Sequence, residues 1–446
     1  MSWTFRFGVV WFLFWVVWSP LEGLAAESGE WIAFFNHFHT RYSHDNRGAE
    51  RVKLTVESVL KRTDRVARSM GVSGAVAITD HNNHDATGDP AFRPVGVIRP
   101  IKGEEWGGPG HAGVLGYSGD TAIARLIPPQ SPETYVRMVT RAHSLGGIVI
   151  ANHPRSSIKW QTDRRFGVDA VEVWSMCGWK GSDKSALAWW HRLLVAGERL
   201  TAVGGTDAHF YFQSVEFPLN WVFAESNAPE DVLAAVKAGR VQILSGPSAP
   251  RILLRADFDG DGVYDDALSG DALMVDRNRA VRFEVVLEKA IPAHHLLLLD
   301  KEGEFFSGGV GVGPGWNRGV YRFERTFRAS ERNFVRAELR RGNTHIMECL
   351  CNPIYLIGKN APATTEVQIT GMVTTAGGQP VANALVRLAP GEFSHTCSDQ
   401  TGAYRIIAPK GRYKLHVSAG GVAPISIPVS GFEEQMTLDV RLSPSR

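Results

Sequence analysis

Hydrophobic and polar positions change their period partway along the chain. Through residues 29–245, apolar runs of strand length alternate with stretches of helical spacing. Residues 31–38 read as an apolar strand, and 49–70 follow with Val52, Val59, Leu60 and Val66 at helical spacing. Residues 75–79 read as a buried strand that runs into Asp80 and His81. A helix over 132–145 leads into a strand at 147–152, another strand covers 170–174, and a helix over 184–197 leads into 201–205. Pro229 opens a helix over 229–238 that Gly239 closes. Repeated units of this kind predict an α/β region with a parallel sheet or barrel.

After Gly246-Pro247 the helical period disappears. Segments 281–288, 295–300, 320–328 and 333–340 alternate with period two. In the last of these Val335, Ala337 and Leu339 share one face, while Arg336, Glu338 and Arg340 take the other. That is a β-sandwich pattern. Residues 365–444 form a third unit of short strands, with turns signalled at Gly377-Gly378, Asp399 to Gly402 and Lys410-Gly411. The expected organisation is 29–245, 246–358 and 365–444, with a small-residue linker near 357–364.

Composition changes this picture little. The chain has 446 residues, enough for two to four domains, and a formal net charge of +2. Nothing in that balance calls for nucleic acid. At the N-terminus Arg6 precedes the apolar run Val9 to Val17, and Leu24-Ala25-Ala26 offers a small-residue cleavage site. Residues 1–26 are read as a secretory signal peptide, the alternative being an uncleaved anchor. The run is short for a membrane span and no second one follows, so a secreted or periplasmic protein is expected. Of the four cysteines, Cys349 and Cys351 stand two apart on a strand-like segment, a poor geometry for bonding to each other. They read as buried thiols, with a cluster including His345 as the alternative.

The chemistry enters through six short motifs: N-H-F-H-T, S-H-D, T-D-H-N, G-E-E, N-H-P and T-D-A-H. They supply His37, His39, Asp45, His81, Glu105, His153, Asp207 and His209, repeatedly just after β-like runs. A lone histidine is ordinarily a packed or surface residue, but this recurrence points to one multinuclear metal site. Imidazole suits zinc, iron and manganese, and carboxylates can bridge two cations. Residues i and i+2 of a strand share a face, so His37 with His39, and Asp207 with His209, are expected to grip the same metal pair. Gly204 and Gly205 let the backbone pass close to it.

In this order the motifs resemble the PHP family, the polymerase and histidinol phosphatase type of metallohydrolase. The resemblance covers about half the chain. It implies a distorted (β/α)7 barrel holding two or three divalent transition metals, zinc, manganese or iron. On it His37 and His39 match the HxH pair, Asp45 the acidic residue of the next loop, and His81 the TDH histidine. Glu105, rather than its neighbour Glu104, matches the bridging glutamate. His153 matches the HP histidine, and Asp207 with His209 the closing DxH pair. Asp80 stands where a residue orients a ligand, and His111 resembles a station that supplies a further ligand or a phosphate contact in some members. Downstream, A-P-E-D-V-L-A-A-V-K-A-G-R with S-G-P, and C-N-P-I-Y-L, resemble the secreted branch related to carbaryl hydrolase. G-Q-P-V-A-N-A-L-V-R-L, D-Q-T-G-A-Y-R and P-K-G-R-Y resemble a carboxypeptidase regulatory-like domain, a small β-sandwich that is usually non-catalytic.

The expected activity is phosphoester hydrolysis, with no catalytic residue beyond the metal ligands. The alternatives are carbamate or amide hydrolysis on the same site, or a binding module whose site no longer turns over. Arg155 is a candidate substrate contact in the basic stretch that includes Lys159, Arg164 and Arg165. The run D-F-D-G-D-G-V-Y-D places Asp257, Asp259, Asp261 and Asp265 at calcium-loop spacing, with a polar turn as the alternative. Partners expected are a small-molecule or cell-envelope substrate, with surface or polymer contact through the last domain.

Overall fold

A computed structural model describes residues 29–45, 52–108, 110–129, 134–156, 166–176, 178–313, 316–317, 319–342, 346–361, 366–389, 394–409, 411–431 and 435–444. Residues 1–26, read above as a signal peptide, and Lys159, Arg164, Arg165, Cys177 and His345 lie outside them.

The first region contains β1 (Glu30–Phe38), α1 (Val56–Met70), β2 (Gly74–Ile78), β3 (Ile98–Trp106), β4 (Ala112–Leu115), α2 (Ile123–Leu126), α3 (Thr134–Ser144), β5 (Ile148–Ala151), β6 (Ala170–Ser175), α4 (Gly181–Val195), β7 (Thr201–Gly205), β8 (Leu219–Ala224), α5 (Pro229–Ala238) and β9 (Val241–Leu244). Helix α1 begins later than its periodicity suggests, because Thr55 and Ser58 close a capping box over its first turn. Gly71, at φ 75°, ends it in the left-handed conformation that glycine adopts most easily. Val59, Leu60 and Val66 form its buried stripe.

The expected (β/α)7 barrel is not the architecture of this chain. The described residues carry 28 strands against five α-helices. Strand pairs β1–β2, β2–β3, β5–β6 and β6–β7 are parallel, but β3–β4, β4–β5, β1–β8 and β8–β9 are antiparallel. The connection from β3 to β4 shows the reason. It spans only residues 107–111, rich in glycine. A parallel crossover needs a dozen residues or more, so the chain reverses instead. Apolar periodicity located the strands and left their pairing direction open.

The sheet also continues past this region. The second stretch contributes β10 (Arg251–Asp257), β11 (Ala267–Leu268), β12 (Ala272–Val275), β13 (Arg279–Glu288), β14 (His294–Asp300), β15 (Gly303–Gly309), β16 (Trp316–Asn317), β17 (Val320–Phe327), β18 (Arg332–Arg341), β19 (Met347–Cys351) and β20 (Ile354–Gly358). Pairing of β9 with β19 joins both stretches in one 15-stranded sheet, in the order β12-β20-β18-β19-β9-β8-β1-β2-β3-β4-β5-β6-β7, with β14 and β15 beside β18. A five-stranded sheet, β11-β10-β13-β17-β16, shares its core with that end. One apolar cluster runs from Phe38, Val59 and Leu60 through Leu244 to Leu254, Phe283 and Leu339.

The last unit holds β21 (Glu366–Thr375), β22 (Leu385–Ala389), β23 (Ser394–Cys397), β24 (Ala403–Pro409), β25 (Gly411–Ser418), β26 (Ile425–Gly431), β27 (Gln435–Thr437) and β28 (Val440–Leu442). They form two four-stranded sheets around a separate core that includes Ile369, Val386, Leu415 and Val440. Among the described residues no helix is long and apolar enough to cross a membrane.

Candidate metal centre

The motifs meet where β1, β2, β3, β5 and β7 end. Their donor atoms fall into three groups: His39, Asp45, His81 and His209; His37, Glu105, His153 and Asp207; and His81, Glu105 and His111. In each group one ligand atom per residue lies within 4.8 Å of the others. Both members of the closing D-A-H pair are present, but they belong to different groups. So do His37 and His39. Strand alternation is not what aims them: β1 breaks register between Phe35 and Phe38, and His37 sits at φ 69°. Asp207 (φ 47°) and His153 (φ 25°) are likewise left-handed. Such backbone costs about 1–3 kcal/mol per residue and concentrates at functional sites.

Glu105, with no exposed surface, occupies the centre. Its Oε1 faces His37 Nε2 (3.1 Å), His111 Nδ1 (3.2 Å) and His153 Nε2 (3.2 Å), and its Oε2 faces His81 Nε2 (3.1 Å) and His39 Nε2 (3.3 Å). The adjacent Glu104 turns to the other face, where it accepts from the Tyr117 hydroxyl and the backbone at Ile123 and Ala124. His37 and His39 bring their Nε2 atoms to 3.1 Å, and Asp207 Oδ1 lies 3.5 and 3.4 Å from them. His209 Nε2 stands 2.6 Å from Asp45 Oδ2.

Supporting contacts hold the other ring nitrogens. His37 Nδ1 donates to Glu172 Oε1 (2.9 Å), and His209 Nδ1 donates to the carbonyl of Asp207 (3.0 Å). His39 Nδ1 lies 3.2 Å from Ser43 Oγ, and His153 Nδ1 lies 3.1 Å from Ser156 Oγ. All four Nε2 atoms therefore converge on the carboxylates, as in metal sites whose ligands are oriented from behind. Glu172 escaped the motif reading. Its signal was a charged residue inside the otherwise apolar strand β6, where it is fully buried. Its second oxygen accepts from His153 N (2.7 Å) and Ser175 Oγ (2.8 Å). Gly205 makes room for it, since a Cβ there would lie 1.4 Å from Glu172 Oε1. Asp80 ties strand ends together by accepting from Thr40 N and Oγ1, rather than bonding a ligand histidine.

Electrostatics favour positive charge here. Burial alone would depress the His39 imidazolium, but Asp207 and Glu105 more than reverse this and push its pKa up to about 9. His37 is raised despite burial, chiefly by Glu105, Glu172 and Asp207. Burial works against ionisation of Glu105 and Asp207 too, yet the facing imidazoles, His37 foremost, hold both carboxyls below their usual range. Burial dominates at His81, which drops to about 4 and stays neutral at pH 7. The residues fit a group of cations. Glu105 Oε2 is buried and makes no properly directed hydrogen bond, although two imidazole nitrogens lie within 3.3 Å. Nitrogen lone pairs 3.1 Å apart, as at His37 and His39, repel unless a proton or cation lies between them.

A cavity of about 320 Å³ opens onto the cluster. Its lining includes Asp45, His81, Glu105, His111, His153, Asp207 and His209 of the cluster, together with Arg155, Met176, Lys180, Asp183, Ala186 and three serines, Ser156, Ser175 and Ser182. The Arg155 guanidinium sits 4.8 Å from the centroid of the buried Trp189 ring. Lys180 carried no sequence signal, because a lysine before a helix is usually a solvated surface residue.

The calcium candidate assembles differently. Asp257, Asp259 and Asp266 approach one another, while Asp261 and Asp265 do not join them. Asp257 accepts from Gly260 N (2.7 Å) and pairs with Arg282 (3.1 Å), Asp261 caps Val263 N (2.7 Å), and Asp265 is exposed. Cys349 and Cys351 are buried in β19, where Cys351 Sγ lies 2.8 Å from Ser269 Oγ.

No curated protein matches the chain. Among solved structures, chlorocatechol 1,2-dioxygenase from Pseudomonas putida aligns at 15% identity over 18% of this chain and 60% of its own length, with a TM-score of 0.15. BcpA, the major pilin subunit of Bacillus cereus, aligns at 10% identity over 46% of this chain and 72% of its own, with a TM-score of 0.18. The fibronectin(III)-like modules of Clostridium thermocellum CbhA align at 8% identity over 42% and 94%, with a TM-score of 0.15. The chain thus spans less than two thirds of the dioxygenase's length. The family match falls on the last unit and does not reach the histidine cluster: residues 368–443 match the carboxypeptidase regulatory-like domain.

Proposed function

We propose that this protein is a metal-dependent hydrolase, with phosphoesters as its substrates. The observation that carries the reading is Glu105. One buried carboxylate presents its two oxygens to two different sets of imidazoles, the arrangement of a carboxylate bridging two cations. The motif order, which resembles that of PHP metallohydrolases, supports the same chemistry. The family's barrel does not, so the proposal stands on the side chains. His37, Glu105, His153 and Asp207 would hold one cation and His39, Asp45, His81 and His209 another; His81 and Glu105 also group with His111, an arrangement in which His81 would leave the second cation for a third. Divalent cations bound there would supply Lewis acidity and hydroxide near neutral pH.

The chain's own residues then have separate tasks. Glu172, Ser43 and Ser156 keep the imidazoles in place. The cavity admits the ester beside the cluster, and Arg155 faces it with a positive charge pinned against Trp189. No side chain is assigned as nucleophile. The last unit serves as an accessory that contacts a surface or polymer and supplies no catalytic group.

Metal-free protein reloaded with manganese or zinc should hydrolyse phosphomonoesters in a panel that also holds carbamates and amides. In oxygen-18 water the label should enter phosphate in a single turnover. Turnover of carbamates or amides with none on phosphoesters would transfer the reading to C–N hydrolysis. No metal-dependent turnover of any member would remove it.

A further inference from the structure

The cavity carries more positive charge than a single phosphate needs. Cations in the cluster would face the carboxylates of Asp45, Glu105 and Asp207. Against these three carboxylates and that of Asp183, which lines the same cavity, two divalent ions leave no excess and three leave two positive charges, which suit one phosphoryl group. Yet two further cationic side chains, Arg155 and Lys180, line the same cavity. Lys180 stands immediately before α4, whose first turn also contributes Ser182 and Asp183 to the lining. Among the described residues its Nζ makes one hydrogen-bonding contact, 3.6 Å from Met176 Sδ, and its charge is felt by the carboxylate of Asp183. The nearby Asp183 is spent on the backbone, accepting from Lys180 N (2.6 Å) and Ser175 N (3.1 Å). Met176, the other contact of Lys180, is held at φ 60°. Lys180 is exposed, as a lysine before a helix usually is, and what distinguishes it is its place in the lining of the cavity that opens on the cluster. A lysine that lines the same pocket as a metal cluster, beside an arginine braced by a buried tryptophan, asks for an anion.

From this arrangement we propose that Lys180, together with Arg155, forms a second anion subsite, and that the substrates are small phosphoesters bearing another anionic group, a carboxylate or second phosphate. The inference rests on the phosphoester reading for the first anion. A volume of about 320 Å³ lies at the small end of ligand pockets, which excludes large leaving groups from full enclosure. The remote anion would be met by a lysine ammonium, a compact point charge, and by a planar guanidinium able to bind two oxygens at once.

The test uses the metal-loaded full chain and measures binding by calorimetry, without turnover. The probes are methylphosphonate, phosphonoacetate and 3-phosphonopropionate. At least one carboxylated probe should bind about tenfold or more tightly than methylphosphonate. In Lys180→Met, which keeps the aliphatic stem, that preference should shrink to about twofold, and Arg155→Gln should reduce it as well. Equal affinity for all three probes, or a preference untouched by Lys180→Met, overturns the subsite. Failure of methylphosphonate to bind the loaded protein counts against the phosphoester reading instead. The comparison of carboxylated probes with acetate, succinate and glutarate then decides the subsite alone, the dicarboxylates losing affinity in Lys180→Met if it exists.

Discussion

Two clusters of acidic side chains among the described residues have metal-like proximity, and they differ in what their oxygens already do. In the loop of Asp257, Asp259 and Asp266 the carboxylates serve the backbone that carries them. Asp257 accepts from Gly260 and Gly262, and Asp266 from Phe258 and Asp259. Arg282 neutralises the buried Asp257. At the strand ends, by contrast, Glu105 and Asp207 face imidazole nitrogens from other elements, and those rings are held from behind by Glu172, Ser43 and Ser156. Proximity of acids is therefore a weak indicator. The informative feature is a polar group that the protein's own donors leave unfinished.

The comparison can be broken most directly at the strand ends. The double variant His37→Ala with His39→Ala should lose bound metal almost completely while the last unit stays folded, as read by metal analysis and circular dichroism. Full metal content in the double variant would mean the cluster is not a site. A smaller effect is expected one layer out. Glu172→Ala should weaken metal binding by about 10–100-fold. Gly205→Ala should reproduce much of that loss, because its Cβ takes the place of Glu172 Oε1.

Acidity provides the next test. In the metal-free protein the raised pKa of His39, about 9, keeps it protonated at pH 7, with His37 raised as well. A cation must displace those protons, so metal affinity should rise with pH up to about 9 and flatten above it. Calorimetry at pH 7 in buffers of different ionisation enthalpy should record proton release, and none would contradict the charge assignment. In the loop, Asp257→Ala should cost about 1–3 kcal/mol, because it removes the acceptor of two backbone amides, whereas Arg282 keeps water and the Gly260 carbonyl. The cost should be the same with or without calcium. The smallest effect is calcium itself: millimolar additions should leave the melting temperature of the wild type within about 1 °C, and a larger rise would make the loop a site after all.

Much of the centre was legible because its ligands are rare residue types in short motifs at strand ends. His37, His39, Asp45, His81, Glu105, His153, Asp207 and His209, with His111, all reach the cluster. The choice of Glu105 over Glu104 came from the pattern of the family resemblance, and the two side chains do point to opposite faces. What stayed hidden depends on three-dimensional context. Glu172 and Lys180 belong to no motif and acquire meaning from their neighbours. The sharing of His37 and His39 between groups follows from a left-handed residue that alternation does not anticipate. The fold was legible element by element, with α5 at its expected bounds and β1, β2 and β7 within about a residue of theirs. The barrel failed because period two identifies a strand but not the direction of its partner.

Continuity of the large sheet has a thermodynamic consequence. Pairing of β9 with β19 carries hydrogen bonds from the strands that present the histidine cluster into β18 and β20, and a single apolar cluster follows the same route. Nothing along that route offers a place for one half to melt alone. Residues 29–361 should therefore lose structure in one cooperative transition, with the last unit, built on its own core, free to melt separately. A cation captured by His37 or Glu105 would then slow amide exchange in β18 and β20, far from any ligand, by the same factor as in β2 and β3.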